Sequence, residues 1–339
     1  MEFVDLGFID EIESKVEAEE KVLSTFKPPQ LLFIFPSVKD WDRIIRASYQ
    51  DALPEVERSG IQLGQKKDFP ECKYEGDLLG GERHGLGKAV YTDGRTYFGE
   101  WRHDAREGRG SEHYPDGRLF HGLLQIGRAQ GFGFFSWPNG ETYEGEWEAG
   151  ARCGRGIWKG CNGDCYTGYW RNDMANGWGR HAWEDGHIYE GEWTDCAKQG
   201  LGVETTRQWI YKGSFTHNKF SGFGKLVDND GSIYRGWFDE GVKQGVGEIV
   251  TKAWTYIGEF QRNKRQGRGL VRWNSGNQYL GWFLAEKREG KGEMRWTDGS
   301  VYRGDWKDGI QHGMGEMTFT DGRPTKRGAF VNNEFKGEV

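Results

Sequence analysis

Long hydrophobic runs are what this chain most lacks. No stretch approaches the 18 or more apolar residues of a spanning helix, and the first five residues, Met1 to Asp5, are acidic where a secretory leader would be basic. Neither a helical membrane anchor nor export is therefore expected. Cysteine is scarce and odd in number. Cys72, Cys153, Cys161, Cys165 and Cys196 are scattered, which argues against a disulfide framework and for a reducing compartment such as the cytoplasm. Cys161 and Cys165 flank Asn162-Gly163, but with no second pair at suitable spacing they do not predict a zinc site, and no other cofactor is expected. Positive charge is also short. A net charge of -6 with no basic domain excludes nucleic acid as an expected partner.

What fills the chain instead is glycine and aromatic residues. Hydrophobic residues make up 35% and the mean hydropathy is -0.82. Yet 54 glycines accompany 16 Trp, 14 Tyr and 20 Phe. Adding glycine brings the apolar share to the ordinary globular level, so disorder is not expected. The core must be built from rings packed on bare backbone.

The arrangement is periodic from about residue 74 onward. The unit is Tyr-x-Gly-x-Trp/Phe, followed eleven residues after the Tyr by Gly-x-Gly. Anchors fall at Tyr74, Tyr97, Phe120, Tyr143, Tyr166, Tyr189, Tyr211, Tyr234, Tyr256, Tyr279, Tyr302 and, degenerately, Lys326. A fixed period of 22 to 24 residues marks a stacked repeat array. Within one unit, Tyr143, Gly145 and Trp147 alternate with Glu144 and Glu146, a strand with one apolar face. Gly154, Gly156 and Trp158 form a second strand after a loop of about six residues, and Asn162-Gly163 then suits a two-residue hairpin turn. Two repeats are one residue short at Thr205 to Gln208 and Thr251 to Ala253, where the turn glycine is missing and the strands are intact. The second-strand glycines mark places where the first-strand rings lie against the backbone.

These motifs resemble the MORN repeat (membrane occupation and recognition nexus), in register a dozen times over residues 72 to 339. The resemblance implies a mainly β fold, an elongated single-layer antiparallel sheet of serial β-hairpins, used as a scaffold or a membrane-contact module and not as an enzyme. The structural positions it assigns include Tyr97, Gly99 and Trp101; Tyr143, Gly145, Trp147, Gly154 and Gly156; Tyr189, Gly191 and Trp193; and Tyr302, Gly304 and Trp306. The Gly-x-Gly doublets recur in every unit, no phosphate-loop lysine motif follows them, and the histidines are dispersed. No catalytic residue is expected. By analogy the chain is expected to be a cytoskeletal scaffold with protein partners, in a ciliary or flagellar axoneme; a peripheral tether to anionic phosphoinositides and a soluble signalling or trafficking adaptor are the alternatives.

Three features are candidates for partner contact. Nine residues after the anchor stand Arg83, Arg106, Arg152, Lys198, Lys243, Arg265 and Arg288, a basic row suited to an anionic surface or simply a solvated loop edge. Opposite the inward glycines, the outer strand face carries Phe132, Phe134, Trp178, Leu201, Val203, Phe223, Val227 and Val246, to be covered either by a partner, such as a helix, or by the sheet folding back. The third is the segment 1–70, set apart from the array at 71–339. It holds 14 acidic against nine basic residues. Ile9, Ile12, Val16, Leu23 and Phe26 predict a helix over 8–25, and Trp41, Ile44, Ile45 and Tyr49 a second. Between them Leu31, Leu32, Phe33, Ile34 and Phe35 either cap the edge of the first hairpin or dock on a partner. At the other end the array stops in mid-repeat, leaving its final strand without a following mate.

Overall fold

The computed structural model describes residues 2–30 and 60–338. Among these the chain forms one helix, Leu6–Thr25, and 25 strands, all antiparallel and joined as successive hairpins, so the fold is an open, mainly β sheet. It divides into two compact units, residues 29–197 and residues 198–339 with 1–28.

In the first unit the hairpin starting at Tyr143 shows how sequence becomes geometry. Strand Thr142–Glu148 pairs with Ala151–Lys159, placing Tyr143 opposite Trp158 and Gly145 opposite Gly156. The register then shifts between Gly145 and Glu146. Gly154 sits at this irregularity with φ +55°, a left-handed conformation that Cβ-bearing residues disfavour. Gly156 does something different. A Cβ there would lie 2.3 Å from the Tyr143 hydroxyl, so only bare backbone lets the ring lie down. The two glycines of the doublet therefore serve separate purposes, one for backbone angle and one for ring contact, where the sequence reading gave both the second role.

The turns also reverse the expected lengths. The connection between the paired strands is a two-residue turn, Ala149-Gly150, with φ of +50° and +92°. Two left-handed residues make this the type I′ turn that matches strand twist. Asn162-Gly163 instead belongs to a three-residue loop, closed by Gly160 N–H to Asp164 O at 2.8 Å and Gly163 N–H to Gly160 O at 3.3 Å. Only the glycine there is left-handed, at φ +98°. A strand also precedes the first anchor. Ile61–Phe69 pairs with Cys72–Leu79, so residues 61–69, expected in the extension, belong to the sheet, and they cover the edge of the Tyr74 strand.

The second unit repeats the scheme and adds the helix. In the two short repeats a threonine replaces the missing glycine. Thr206 N–H bonds Trp209 O at 2.9 Å, while its hydroxyl accepts from the N–H groups of Gln208 and Trp209 at 3.2 and 3.1 Å. Thr251 does the same for Ala253 and Trp254. The last strand, Glu334–Gly337, pairs with Lys326–Val331.

The helix Leu6–Thr25 is two residues longer at its start than the expected 8–25. Asp5 caps it by accepting from Phe8 N–H at 2.9 Å, and Pro28-Pro29 follow its end. Ile9, Ile12, Val16 and Leu23 form one buried stripe, seated on the outer face of the sheet against Phe223, Ile257 and Leu270, with Leu201, Trp237, Val246 and Leu280 around them. This is neither of the two alternatives expected for that face. What covers Leu201, Phe223 and Val246 is the chain's own helix. Residues 31–59, including Leu31, Leu32, Phe33, Ile34, Phe35, Trp41 and Ile45, lie outside the described residues.

Candidate interaction surface

Which surfaces remain for partners depends on what holds the repeats together. The anchor tyrosines are fully or nearly buried, and each hydroxyl donates to the carbonyl three residues on, as in Tyr143 to Glu146 O at 3.0 Å and Tyr189 to Glu192 O at 2.9 Å. Burial pushes the phenols up, Tyr143, Tyr211 and Tyr234 well beyond the ordinary tyrosine range. Except where Leu78 or Leu124 takes the place, the rings meet the Trp or Phe of their own strand and that of the next repeat edge-on. Tyr143 lies 5.1 Å from Trp147 and 5.4 Å from Trp170; Tyr256 lies 5.2 Å from both Phe260 and Phe283. Edge-to-face pairs add about 0.5–1.5 kcal/mol beyond area burial, so the ladder couples neighbours. Where the partner ring is Trp, its Nε1 donates to a second-strand glycine carbonyl, as Trp147 does to Gly133 at 3.2 Å and Trp306 to Gly292 at 3.2 Å. The assigned positions Tyr97, Gly99, Trp101, Tyr302 and Gly304 take the same places.

The basic row does not face outward. Arg152 lies 4.4 Å from the Trp170 ring and 5.6 Å from that of Tyr143, with its Nε 3.0 Å from Asp173 of the next repeat. Arg83 lies 4.6 Å from both Phe69 and Trp101 and pairs with Glu71 and Asp104. Arg265 pairs with Glu286, and Arg288 lies 4.4 Å from Trp306. Arg106 pairs with Glu112, Lys198 with Glu204, and Lys243 lies 4.7 Å from the Tyr234 ring. None of the seven is exposed, and burial pushes Lys243 and Arg288 down. The reason is stereochemical. In an arginine the cation stacks on rings that the repeat always supplies at that point, so the row seals the end of the aromatic ladder.

For five of the seven, the side chain two places before the equivalent position in the next repeat completes the staple; for Arg106 and Arg288 that residue is Gly127 or Gly309, whose carbonyl accepts instead. Asp104 and Asp173 accept from the N–H groups of Arg83 and Arg152 at 2.8 and 2.9 Å; Asn218 and Asn263 accept from Lys198 and Lys243 at 2.7 and 2.8 Å. These Asp and Asn are themselves left-handed turn residues, Asp104 at φ +61° and Asn263 at φ +69°. Sequence reading did not single these residues out.

A second aromatic row was also missed. Tyr91, Tyr114, Trp137 and Trp183 in the first unit, and Trp273, Trp296 and Phe319 in the second, stand half-buried 17 residues after their anchors. Arg95, Arg118 and Arg323 lie 4.9, 4.7 and 4.0 Å from the rings of Tyr91, Tyr114 and Phe319, and His187 stacks on Trp183. The signal was an aromatic two residues before the Asp-Gly, Asn-Gly or Ser-Gly of seven repeats.

The outer face is then the surface with groups to offer. In the first unit Leu123, Phe132, Phe134, Ile157 and Trp178 are half-buried and Tyr169 is exposed, among Glu144, Arg155 and Arg180. In the second unit the face holds the helix. Glu13 pairs with Arg272 at 2.8 Å, and Glu20 with Lys225 and Arg235 at 2.6 and 2.5 Å. Phe8 lies 3.6 Å under Arg268, Phe26 lies 5.7 Å from Lys212, and Trp282 Nε1 donates to Glu2 O at 2.8 Å. The helix thus crosses the strands from Trp282 back to Lys212. Twenty residues rise about 30 Å, which is about six strand spacings.

A staple of this regularity defines a class of repeat protein, and the family comparison names it. The MORN repeat model matches residues 74–94, 97–117, 121–142, 143–165, 166–188, 189–208, 211–233, 256–278, 287–301 and 302–322, more than half the chain, which therefore belongs to the MORN-repeat family. The unmatched stretch 234–255 has the same geometry, with Tyr234 donating to Trp237 O at 3.0 Å. No curated protein matches. Among solved structures, the TCP10 domain of Danio rerio CPAP in complex with a peptide of Danio rerio STIL aligns at TM-score 0.24 and 12% identity, over 71% of this chain and 93% of that one. The SAS-4 (dCPAP) TCP domain of Drosophila melanogaster, in complex with a proline-rich motif of Ana2, aligns at TM-score 0.23 and 11% identity, over 51% and 83%. Likeness at these scores carries no argument about function.

Proposed function

We propose that this protein is a non-catalytic scaffold that holds protein partners in a cytoskeletal assembly, with a ciliary or flagellar axoneme as the setting that the MORN resemblance suggests and the cytoplasm as its compartment. One observation carries the protein-binding part. The anchor rings and the basic row are engaged within and between repeats, whereas the outer sheet face accepts an amphipathic helix through apolar contacts and ion pairs. A surface that takes one helix has the chemistry to take others. The phosphoinositide reading loses its main support, because the cations it relied on, such as Arg83, Arg152 and Arg265, are held by carboxylates and rings.

Fractionation of native cells tests the proposal. Retention in the pellet through a nonionic detergent wash and a high-salt wash, followed by crosslinking to cytoskeletal proteins, is the expected result. Release by detergent alone would favour a membrane tether, and full solubility in the first buffer would favour a soluble adaptor.

A further inference from the structure

We propose that the outer face between Lys212 and Trp282 is a binding site for an acidic amphipathic helix of a partner protein, and that the chain's own helix Leu6–Thr25 is an exchangeable occupant that keeps the site closed. The inference deepens the scaffold reading and rests on it.

The sheet under the helix is complete without it. Beneath the helix the ring ladder runs at 5.1–5.2 Å between Tyr234, Phe238 and Phe260, and in strands with no described helix above them Tyr166 and Trp170 stand at 5.0 Å. Strand register is likewise unchanged: Gly224 opposes Gly236 as Gly156 opposes Gly168. The helix is an addition to a platform that folds by its own rules.

Its seat is selective in charge. Lys225, Arg235, Arg268 and Arg272 point to the outer side; Arg235 and Arg268 also pair with Glu248 and Glu259 of the sheet, and the helix answers with Glu13 and Glu20. The recognised pattern is four apolar residues at i, i+3, i+7 and i+14 (Ile9, Ile12, Val16, Leu23), with carboxylates at i+4 and i+11. The seat is also incompletely filled. A cleft of about 310 Å³ remains between helix and sheet, lined by Glu13, Val16, Glu17, Glu20, Arg235 and Ile257. The helix has no basic residue in its last turn, so its C-terminal end gains nothing from the helix dipole. A partner helix with the same pattern and better filling would compete directly.

The test uses the full chain and a synthetic acidic amphipathic helix of unrelated sequence, carrying the apolar and carboxylate pattern above and a fluorophore. Binding is measured by anisotropy to the wild type and to the full-chain variant Ile9→Asp, Ile12→Asp, Val16→Asp. We expect the variant to bind at least tenfold more tightly. Adding Arg235→Glu and Arg272→Glu should abolish that gain and transfer it to a peptide with lysine in place of the two carboxylates. Equal binding to wild type and opened variant, or equal binding of the acidic and basic peptides, would overturn the proposal while leaving cytoskeletal retention untouched. If the triple variant loses its sheet, the wild type still decides. Saturating acidic peptide should speed amide exchange across residues 6–25, and unchanged exchange there refutes an exchangeable occupant.

Discussion

Lys225 donates to the carboxylate of Glu20 at 2.6 Å across 205 positions of sequence. The contact fastens an acidic segment that carries most of the chain's excess charge to one repeat of the array. Because both side chains are about 30% exposed, the pair contributes about 1 kcal/mol at most. Lys225→Glu should therefore loosen the helix without melting the sheet. Amide exchange in residues 6–25 is expected to rise about fivefold, with residues 143–158 unchanged.

Acid should detach the helix first. Burial works against ionised Glu20, but hydrogen bonds from Lys225 and Arg235 outweigh it and leave its carboxyl below the usual range. A depressed carboxyl gives stability that is full above the unfolded value, about 4.3, and is lost as pH falls through the folded one. Titration from pH 7 to 3 is expected to raise exchange in residues 6–25 below about pH 4, before the sheet signal in circular dichroism changes. Simultaneous loss of both would contradict this.

The alkaline limb reports on the ladder. Tyr143, Tyr166 and Tyr211 are neutral in the folded state far above the value near 10 of a free phenol. Their contribution is constant below about pH 10 and falls as the unfolded chain begins to ionise above it. Absorbance at 295 nm should show these phenols titrating together with unfolding. Smooth independent titration near pH 10 would count against their burial.

At Trp147 two substitutions separate ring packing from hydrogen bonding. Trp147→Ala should cost about 3–5 kcal/mol. Trp147→Phe keeps an edge-on ring, as Phe238 and Phe260 show in the second unit, and forfeits the bond to Gly133 O, at about 1 kcal/mol. Denaturant midpoints give both, and equal losses would refute the ladder.

The glycine doublet makes the sharpest distinction. Gly156→Ala collides with Tyr143, so its cost should largely disappear in a Tyr143→Ala background. Gly154→Ala pays for φ +55° and for displacing the Glu146 side chain, and should cost about 1–2 kcal/mol in either background. A double-mutant cycle by chemical denaturation checks both.

The hairpin order, the strand faces and the buried stripe of the helix were legible in the sequence, since each follows from a period: two for Tyr143, Gly145 and Trp147, and near 3.6 for Ile9, Ile12 and Val16. What escaped depends on distances between repeats. Arg152 reads as a loop cation until Trp170 and Asp173 of the next unit are placed beside it. Turn type escaped for a related reason. Ala149-Gly150 carries no obvious type I′ signature, and Asn162-Gly163 carries one that its three-residue loop overrides. Nothing local in Ile9 or Ile12 names Phe223 or Ile257 as the surface they meet, more than 200 positions away.

The Asp and Asn that reach back from one turn to the preceding repeat set a rule of inheritance. Asp173 serves Arg152, Asn263 serves Lys243, and no described staple of this type skips a repeat. A duplication or deletion whose two breakpoints fall at equivalent positions of two repeats would leave every donor with an acceptor in the repeat that follows. Breakpoints out of register by part of a repeat would orphan both a donor and an acceptor. Genomes are therefore free to lengthen or shorten such a gene in whole periods of about 23 codons and are penalised for anything in between.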